Sequence, residues 1–233
     1  MSNGSCLKDY PSLPQLDILY LHTFQNISIV DELQYNKEDM AKEHDILFKA
    51  LNDEQVHVYQ DIMTAVLSKK GGFFFLYGYG GTWKTFLCKT LSVALRSKGM
   101  IVLNVASSGI ASLLLPGGKT THSTFCIPLL INDESTCNIA QGSLRAKLLM
   151  ATNLIIWDEA SMMNRMCFEA FDRTLRDIMR NVDDVNNDKP FGGKALSWEV
   201  TSDKFYPLSR KDLGLISSNQ QSTIQSYGIV VKC

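Results

Sequence analysis

The chain has 233 residues, 45% of them hydrophobic, with 23 basic against 24 acidic side chains and a net charge of −1. That size and apolar content can bury a substantial core and suit one domain with appendages rather than two full domains. The balanced charge excludes a strongly basic protein that attracts DNA over its whole surface, so any nucleic-acid contact has to be local.

No apolar run approaches the length of a membrane span, and the start of the chain lacks a charged-then-apolar signal pattern. A soluble, intracellular chain with no membrane partner is expected. The cysteines (Cys6, Cys88, Cys126, Cys137, Cys167 and Cys233) form no C-x-x-C pair and have no histidine at zinc-finger spacing, so they read as reduced structural thiols.

Residues 1–35 mix Pro11, Pro14 and short apolar patches without a sustained period, which predicts an extended or partly ordered N-terminal arm. Residues 36–49 carry a charged run and read as a solvated helix. Asn52 is a good N-cap for a second helix, on which Val56, Tyr59, Ile62, Met63 and Val66 recur at helical spacing. Gln55 lies in its first turn, either as a surface residue or as an amide suited to reading an adenine edge.

Phe73 to Tyr77 then reads as a buried strand, and Thr85 to Arg96 as the helix after it. Between them, Gly78-Tyr79-Gly80-Gly81-Thr82-Trp83-Lys84-Thr85 follows the G-x-x-x-x-G-K-[ST] phosphate-binding pattern, except that Trp83 stands in place of the second glycine. Such a loop wraps a triphosphate with backbone N–H groups, sets the lysine against the outer phosphates and holds magnesium through the hydroxyl of its last residue. Two outcomes stay open at Trp83: the indole strains the cradle, or it swings outward and leaves the N–H groups in reach of the nucleotide.

Ile101 to Ala106 is a short apolar strand, with the polar turn Ser107-Ser108-Gly109 at its C-terminal end, where parallel sheets bind ligands. Ile110 to Leu115 predicts a short helix. Thr120-Thr121-His122-Ser123 reads as a loop of polar side chains, either satisfying itself or holding a phosphodiester backbone.

Asn153 to Trp157 is an apolar strand that delivers Asp158 and Glu159 at its carboxyl end, 74 residues after Lys84 (158 − 84). In that position Asp158 orients magnesium through water and Glu159 polarises the attacking water. Met166 to Met179 is an amphipathic helix, and residues 181–188 an acidic, Asn-rich loop. Pro190-Phe191-Gly192-Gly193-Lys194 is poised to enter a strand, but the residues after it are polar and irregular in pattern.

Taken together, Leu51 to Gln55, GYGGTWKTF (78–86), SSGIASLLLPGGKTTHSTF (107–125), LIIWDEASM (154–162) and PFGGK (190–194) resemble the PIF family of ATP-dependent DNA helicases. The likeness is closest to the plant branch related to Helitron-transposon helicases and covers about residues 7–195. It implies an α/β, RecA-like P-loop NTPase domain of three layers with a mostly parallel sheet, at residues 36–195, as a single truncated motor domain.

The cofactors implied are ATP and Mg2+. Gln55 is assigned to adenine; Gly78, Gly80, Gly81, Thr82, Lys84 and Thr85 to the phosphates; Thr85 and Asp158 to the metal; and Lys84 and Glu159 to hydrolysis. Ser107, Ser108, Gly109, Thr121, His122 and Ser123 correspond to segments that touch single-stranded DNA. By the same resemblance the function is 5′-to-3′ DNA unwinding in repair, recombination and telomere maintenance. The location is the nucleus, with an organelle as the alternative, and the further partners are an intact helicase or replication and repair factors.

The pattern breaks after PFGGK, where the family continues with an apolar strand and Gly-Gly-Asp-Phe-Arg-Gln. Codons allowed for Ser197 to Lys204, read two bases later, can spell that motif, so residues 196–233 are expected to be a frameshifted, irregular tail. The rival reading of the chain is therefore a catalytically inert nucleotide- or DNA-binding remnant of a transposon-derived helicase.

Overall fold

The computed structural model describes residues 26–78, 83–201 and 228–232. Its first element is a helix, α1 (Ile27–Leu33), followed by α2 (Lys37–Lys49) and α3 (Asp53–Leu67). Asn36 caps α2 by accepting from the amides of Glu38 and Asp39, and no residue of α2 is buried, as its charge pattern predicts. Asn52 and Gln55 form a reciprocal capping box on α3, which buries Val58, Tyr59, Ile62, Met63 and Val66 at helical spacing.

Six strands form one sheet: β1 (Gly72–Gly78), β2 (Ile101–Ala106), β3 (Lys119–Thr120), β4 (Thr152–Asp158), β5 (Ala195–Thr201) and β6 (Gly228–Lys232). Their order is β3-β2-β4-β5-β1-β6, and every pairing is parallel. Parallel strands need crossovers, which α4 (Trp83–Ser97), α5 (Gly109–Ser112), α6 (Thr121–Phe125), α7 (Leu144–Ala151) and α8 (Arg165–Arg180) help to supply.

Alternation along the strands splits the core in two. Leu154 and Ile156 of β4 join α3 and α4 on one face, while Ile155 and Trp157 join α7 and α8 on the other. The second face is aromatic: Phe125 stacks on Phe171 with centroids 3.9 Å apart, and Trp198 lies 4.3 Å from Phe168 and 4.4 Å from Phe73. The expected three-layer α/β fold is the one observed.

Two expectations are corrected, and within the arm, expected to be extended or partly ordered, Ile27–Leu33 is helical and buries Glu32. Thr121 to Ser123 belong to α6 rather than to a loop. The irregular tail does not begin at Leu196, because Ala195–Thr201 is an interior strand paired with β4 on one side and β1 on the other. A strand flanked on both sides satisfies its backbone through two ladders, which overrides the polar character of Ser197 and Glu199. The remaining tail residues, 202–227 and Cys233, lie outside the described residues.

Glycine sets how β1 and β5 enter the sheet together. Gly71 has φ +69°, and a Cβ there would fall 2.0 Å from the carbonyl oxygen of Gly193. Beside it, Lys194 donates from Nζ to the carbonyls of Met150 (2.7 Å) and Thr152 (2.8 Å), closing the C-terminal end of α7.

Burial lowers the pKa of Lys194 from 10.5 to about 8. Between those values the unfolded chain holds this proton and the folded chain does not, so stability rises with pH across that window and the cost of burying the charge is fully present below it. Lys194→Met is expected to remove a slope of up to ~1.4 kcal/mol per pH unit between pH 8 and 10.5. Subtracting the urea-melt series of the variant from that of the wild type isolates this slope.

Candidate nucleotide and DNA site

The carboxyl ends of β1, β4 and β2 share one rim, because all strands run the same way. At the end of β1, Gly78 pairs in register with Thr201; Gly80, Gly81 and Thr82 lie outside the described residues. Trp83 opens α4 in helical conformation, so the position that departs from the glycine pattern carries no left-handed backbone and no strain of that kind. Its indole is half-buried against the α3–α4 core, and the Lys84 ammonium lies 5.8 Å from the ring centroid.

Of the two outcomes left open by the sequence, the ring is turned onto the protein's own core. Replacing it with glycine loses that packing and adds a flexible residue at the helix start, while freeing space beside Lys84. Trp83→Gly is expected to tighten nucleotide binding, read by titration with a fluorescent ATP analogue; equal affinities would show the indole to be harmless.

Lys84 is buried in the first turn of α4, followed by half-buried Thr85. Asp158 ends β4 on the same sheet face as Leu154 and Ile156, which is the face α4 covers. Lys84 and Asp158 both act electrostatically on Glu199 of β5. The Glu199 carboxyl is pushed up to about 8, first by burial and then by the Asp158 charge, and is drawn back by the Cys88 thiol and the Lys84 ammonium. Two residues 74 positions apart (158 − 84) thus act on one buried carboxyl.

Glu159 follows with φ 51° and ψ 36°, a left-handed conformation that costs a non-glycine residue about 1–3 kcal/mol. Three bonds hold it: its N–H donates to Asp158 Oδ1 (2.7 Å), its carbonyl accepts from Ser107 Oγ (2.8 Å), and its Oε2 accepts from Ser108 Oγ (3.3 Å).

The same bonds reassign part of the expected DNA contact. Ser107 Oγ also accepts from Trp157 Nε1 (3.2 Å), and Ser108 Oγ caps α5 by accepting from the Ala111 amide (3.2 Å). The two serines thus join the β2 turn to the acid pair, a link that residue spacing did not reveal. Gly109 is exposed beside them, with Ile110 and Leu113 more than four-fifths exposed on α5.

Thr121 is fully buried and donates to the Ala106 carbonyl (2.8 Å), so its side chain ties α6 to β2 and does not reach DNA. The expectation that Thr121 touches DNA is corrected accordingly. His122 is half-buried and Ser123 exposed. Gln55 uses its Oε1 to accept from the Asn52 amide (3.1 Å), and its side-chain N–H groups are the part left for a base.

Magnesium usually keeps several waters and takes one or two carboxylates along with substrate phosphates. Thr85 and Asp158 fit that donor set. Among the described residues no group of three or more His, Cys, Asp or Glu is placed to hold a metal, so no closed protein cage is present there. Cys88, Cys137 and Cys167 are free, buried thiols whose pKa values burial raises, which makes them packing groups rather than nucleophiles. No helix among the described residues is long and apolar enough to cross a membrane.

This strand order, with a phosphate-loop lysine and an acid pair on strands that flank a third, defines a RecA-like P-loop NTPase domain. A family model described as PIF1-like helicase matches residues 50–211, and the chain belongs to that family. It is 33% identical over 144 residues to the ATP-dependent DNA helicase PIF1 of Trypanosoma brucei brucei, covering 61% of this chain and 13% of that protein. It is 30% identical over 165 residues to PIF4 of the same organism, covering 69% and 19%.

Among solved structures it is similar to the Pif1 helicase from Bacteroides in complex with ADP-AlF3 and ssDNA, with TM-score 0.51 and 28% identity over 65% of this chain and 32% of that one. The Pif1 helicase from Candida albicans matches with TM-score 0.52 and 26% identity over 78% and 40%. The chain thus spans under a fifth of the length of these curated relatives.

Proposed function

We propose that the chain binds ATP with a divalent cation at the rim formed by Lys84, Thr85, Asp158 and Glu159, and couples hydrolysis to single-stranded DNA as a motor domain of a 5′-to-3′ DNA helicase. The observation that carries this reading is that buried Lys84 opens the helix covering the sheet face on which Asp158 ends β4. Family membership, the ATP-dependent DNA helicase names of the relatives, and the nucleotide and ssDNA in the Bacteroides complex support it.

In this reading Lys84 meets the outer phosphates, Thr85 and Asp158 face the metal, and Glu159 takes the proton of the attacking water. A bound magnesium ion neutralises the charge that builds on the transferred phosphoryl group. Ser107 and Ser108 transmit the presence of DNA, since the turn that carries them is bonded to Glu159 itself. Gly109, His122 and Ser123 form the accessible part of the DNA track. The roles in repair, recombination and telomere maintenance, the nuclear location and the place in the plant Helitron-related branch belong to the same proposal.

Hydrolysis is the step assigned to this rim, so the test reads it directly. Phosphate release from magnesium-ATP is measured with and without single-stranded DNA. Turnover that DNA stimulates and that Lys84→Ala abolishes is the expected result. No turnover at saturating ATP, magnesium and DNA would leave the inert remnant as the better reading.

A further inference from the structure

Strand β5 holds an acid that no role above uses. Its register places Trp198 opposite Trp157 of β4 and Glu199 opposite Leu76 of β1. Glu199 therefore stands one step beyond Trp157, alongside Asp158, on the sheet face that α4 covers. Only 1% of it is exposed, and neither carboxylate oxygen has a hydrogen-bond partner among the described residues. As a donor the Cys88 thiol draws the carboxyl back toward the charged form, but it stands outside hydrogen-bond geometry at both oxygens.

Among the described residues no other carboxylate is left in this condition. Buried polar groups are almost always satisfied, and a carboxylate with both oxygens open points to a missing counter-group. Among the described residues no arginine or lysine bonds either oxygen, and in the reading above Lys84 serves the phosphates. An oxygen-seeking dication beside Asp158 meets the requirement: it accepts both carboxylates, fills its remaining positions with water and the Thr85 hydroxyl, and reverses the repulsion between the two acids.

We propose that Glu199 is a direct protein ligand of the divalent cation at this rim, completing with Asp158 a two-carboxylate site. The proposal rests on the nucleotide-site reading above and adds a residue to it from the part of the sequence where the family pattern breaks. Glu199 replaces one metal-bound water, so the cation is held by the protein before any triphosphate arrives. Cation binding and nucleotide binding are then separable steps in this chain.

The test is titration of the full chain with Mn2+ alone, free Mn2+ being read by electron paramagnetic resonance, for the wild type, Glu199→Gln and Asp158→Asn. Glu199→Gln keeps the volume of the side chain and is expected to weaken Mn2+ binding by at least about tenfold. Asp158→Asn is expected to weaken it as well.

Unchanged affinity in Glu199→Gln with loss in Asp158→Asn would overturn the Glu199 assignment and leave the rim intact. Unchanged affinity in both would overturn the rim as a cation site altogether. If Glu199→Gln fails to fold, the heat-denaturation midpoint of the wild-type chain gives a second reading. Mn2+ is expected to raise that midpoint more in the wild type than in Glu199→Asp, whose shorter side chain withdraws the ligand, and equal rises would overturn the proposal.

Discussion

Glu159→Gln is expected to lower DNA-stimulated ATP turnover by ~10²–10⁴-fold while nucleotide affinity is retained, because the amide keeps the shape of the side chain and cannot accept a proton. The surroundings make this substitution informative. Glu159 is held in a left-handed backbone by bonds from Ser107 and Ser108 and to Asp158, and an amide oxygen can still accept from Ser108 Oγ. The fold and the rim therefore survive, and the change isolates the proton acceptor. Single-turnover hydrolysis together with nucleotide titration checks it; equal loss in affinity and rate would place Glu159 in binding rather than in chemistry.

The second large effect is on stability. Glu32 on α1 is 5% exposed and accepts from Arg96 Nη2 (3.2 Å) at the far end of α4, while Lys119 Nζ approaches its other oxygen (3.5 Å). Arg96 also donates to the carbonyls of Pro116 (3.0 Å) and Val102 (3.3 Å) and lies 4.2 Å from the centre of the Tyr35 ring.

Glu32→Gln removes the countercharge from a buried guanidinium and is expected to cost about 3–5 kcal/mol, seen as a lower urea midpoint with the slope unchanged. The pair Glu32→Leu with Arg96→Met is expected to recover much of that loss, since neither charge then remains to be desolvated. A Glu32→Gln midpoint equal to that of the wild type would mean that α1 does not anchor on the domain.

Much of this molecule is legible in its sequence wherever one local rule suffices. Ile101–Ala106 is a strand with the boundaries its apolar run gives, and the Asn52 cap opens α3 where expected. The acid pair emerges from β4 at the rim, and Phe168, Phe171 and Met179 of α8 are buried as expected, whereas Met166 is half-buried. What escapes depends on partners far away in the chain.

The Thr121 hydroxyl is spent on the Ala106 carbonyl, which no count of polar residues in 120–123 could show. Glu32 is buried because Arg96, 64 residues later, comes to meet it. Strand β5 escapes for the opposite reason: Ser197 and Glu199 are polar groups in a fully interior strand, so the hydrophobic pattern that signals such strands is missing from it. Its backbone is nonetheless fixed by β4 and β1, and tertiary context decides the conformation against the local pattern. Lys84, Asp158 and Glu159 were legible as candidates; the bonds from the Ser107-Ser108 turn to Glu159 and the buried Glu199 were not.

The central claim is that Lys84 and the Asp158–Glu159 pair serve one nucleotide. A crystal structure of the chain grown with magnesium, ADP and aluminium fluoride tests it most directly. The account predicts the phosphates beside Lys84 Nζ, with the metal facing Thr85 and Asp158 and the fluoroaluminate facing Glu159. A nucleotide bound at the rim in any other orientation, with Lys84 and Asp158 turned away from its phosphates, would contradict it.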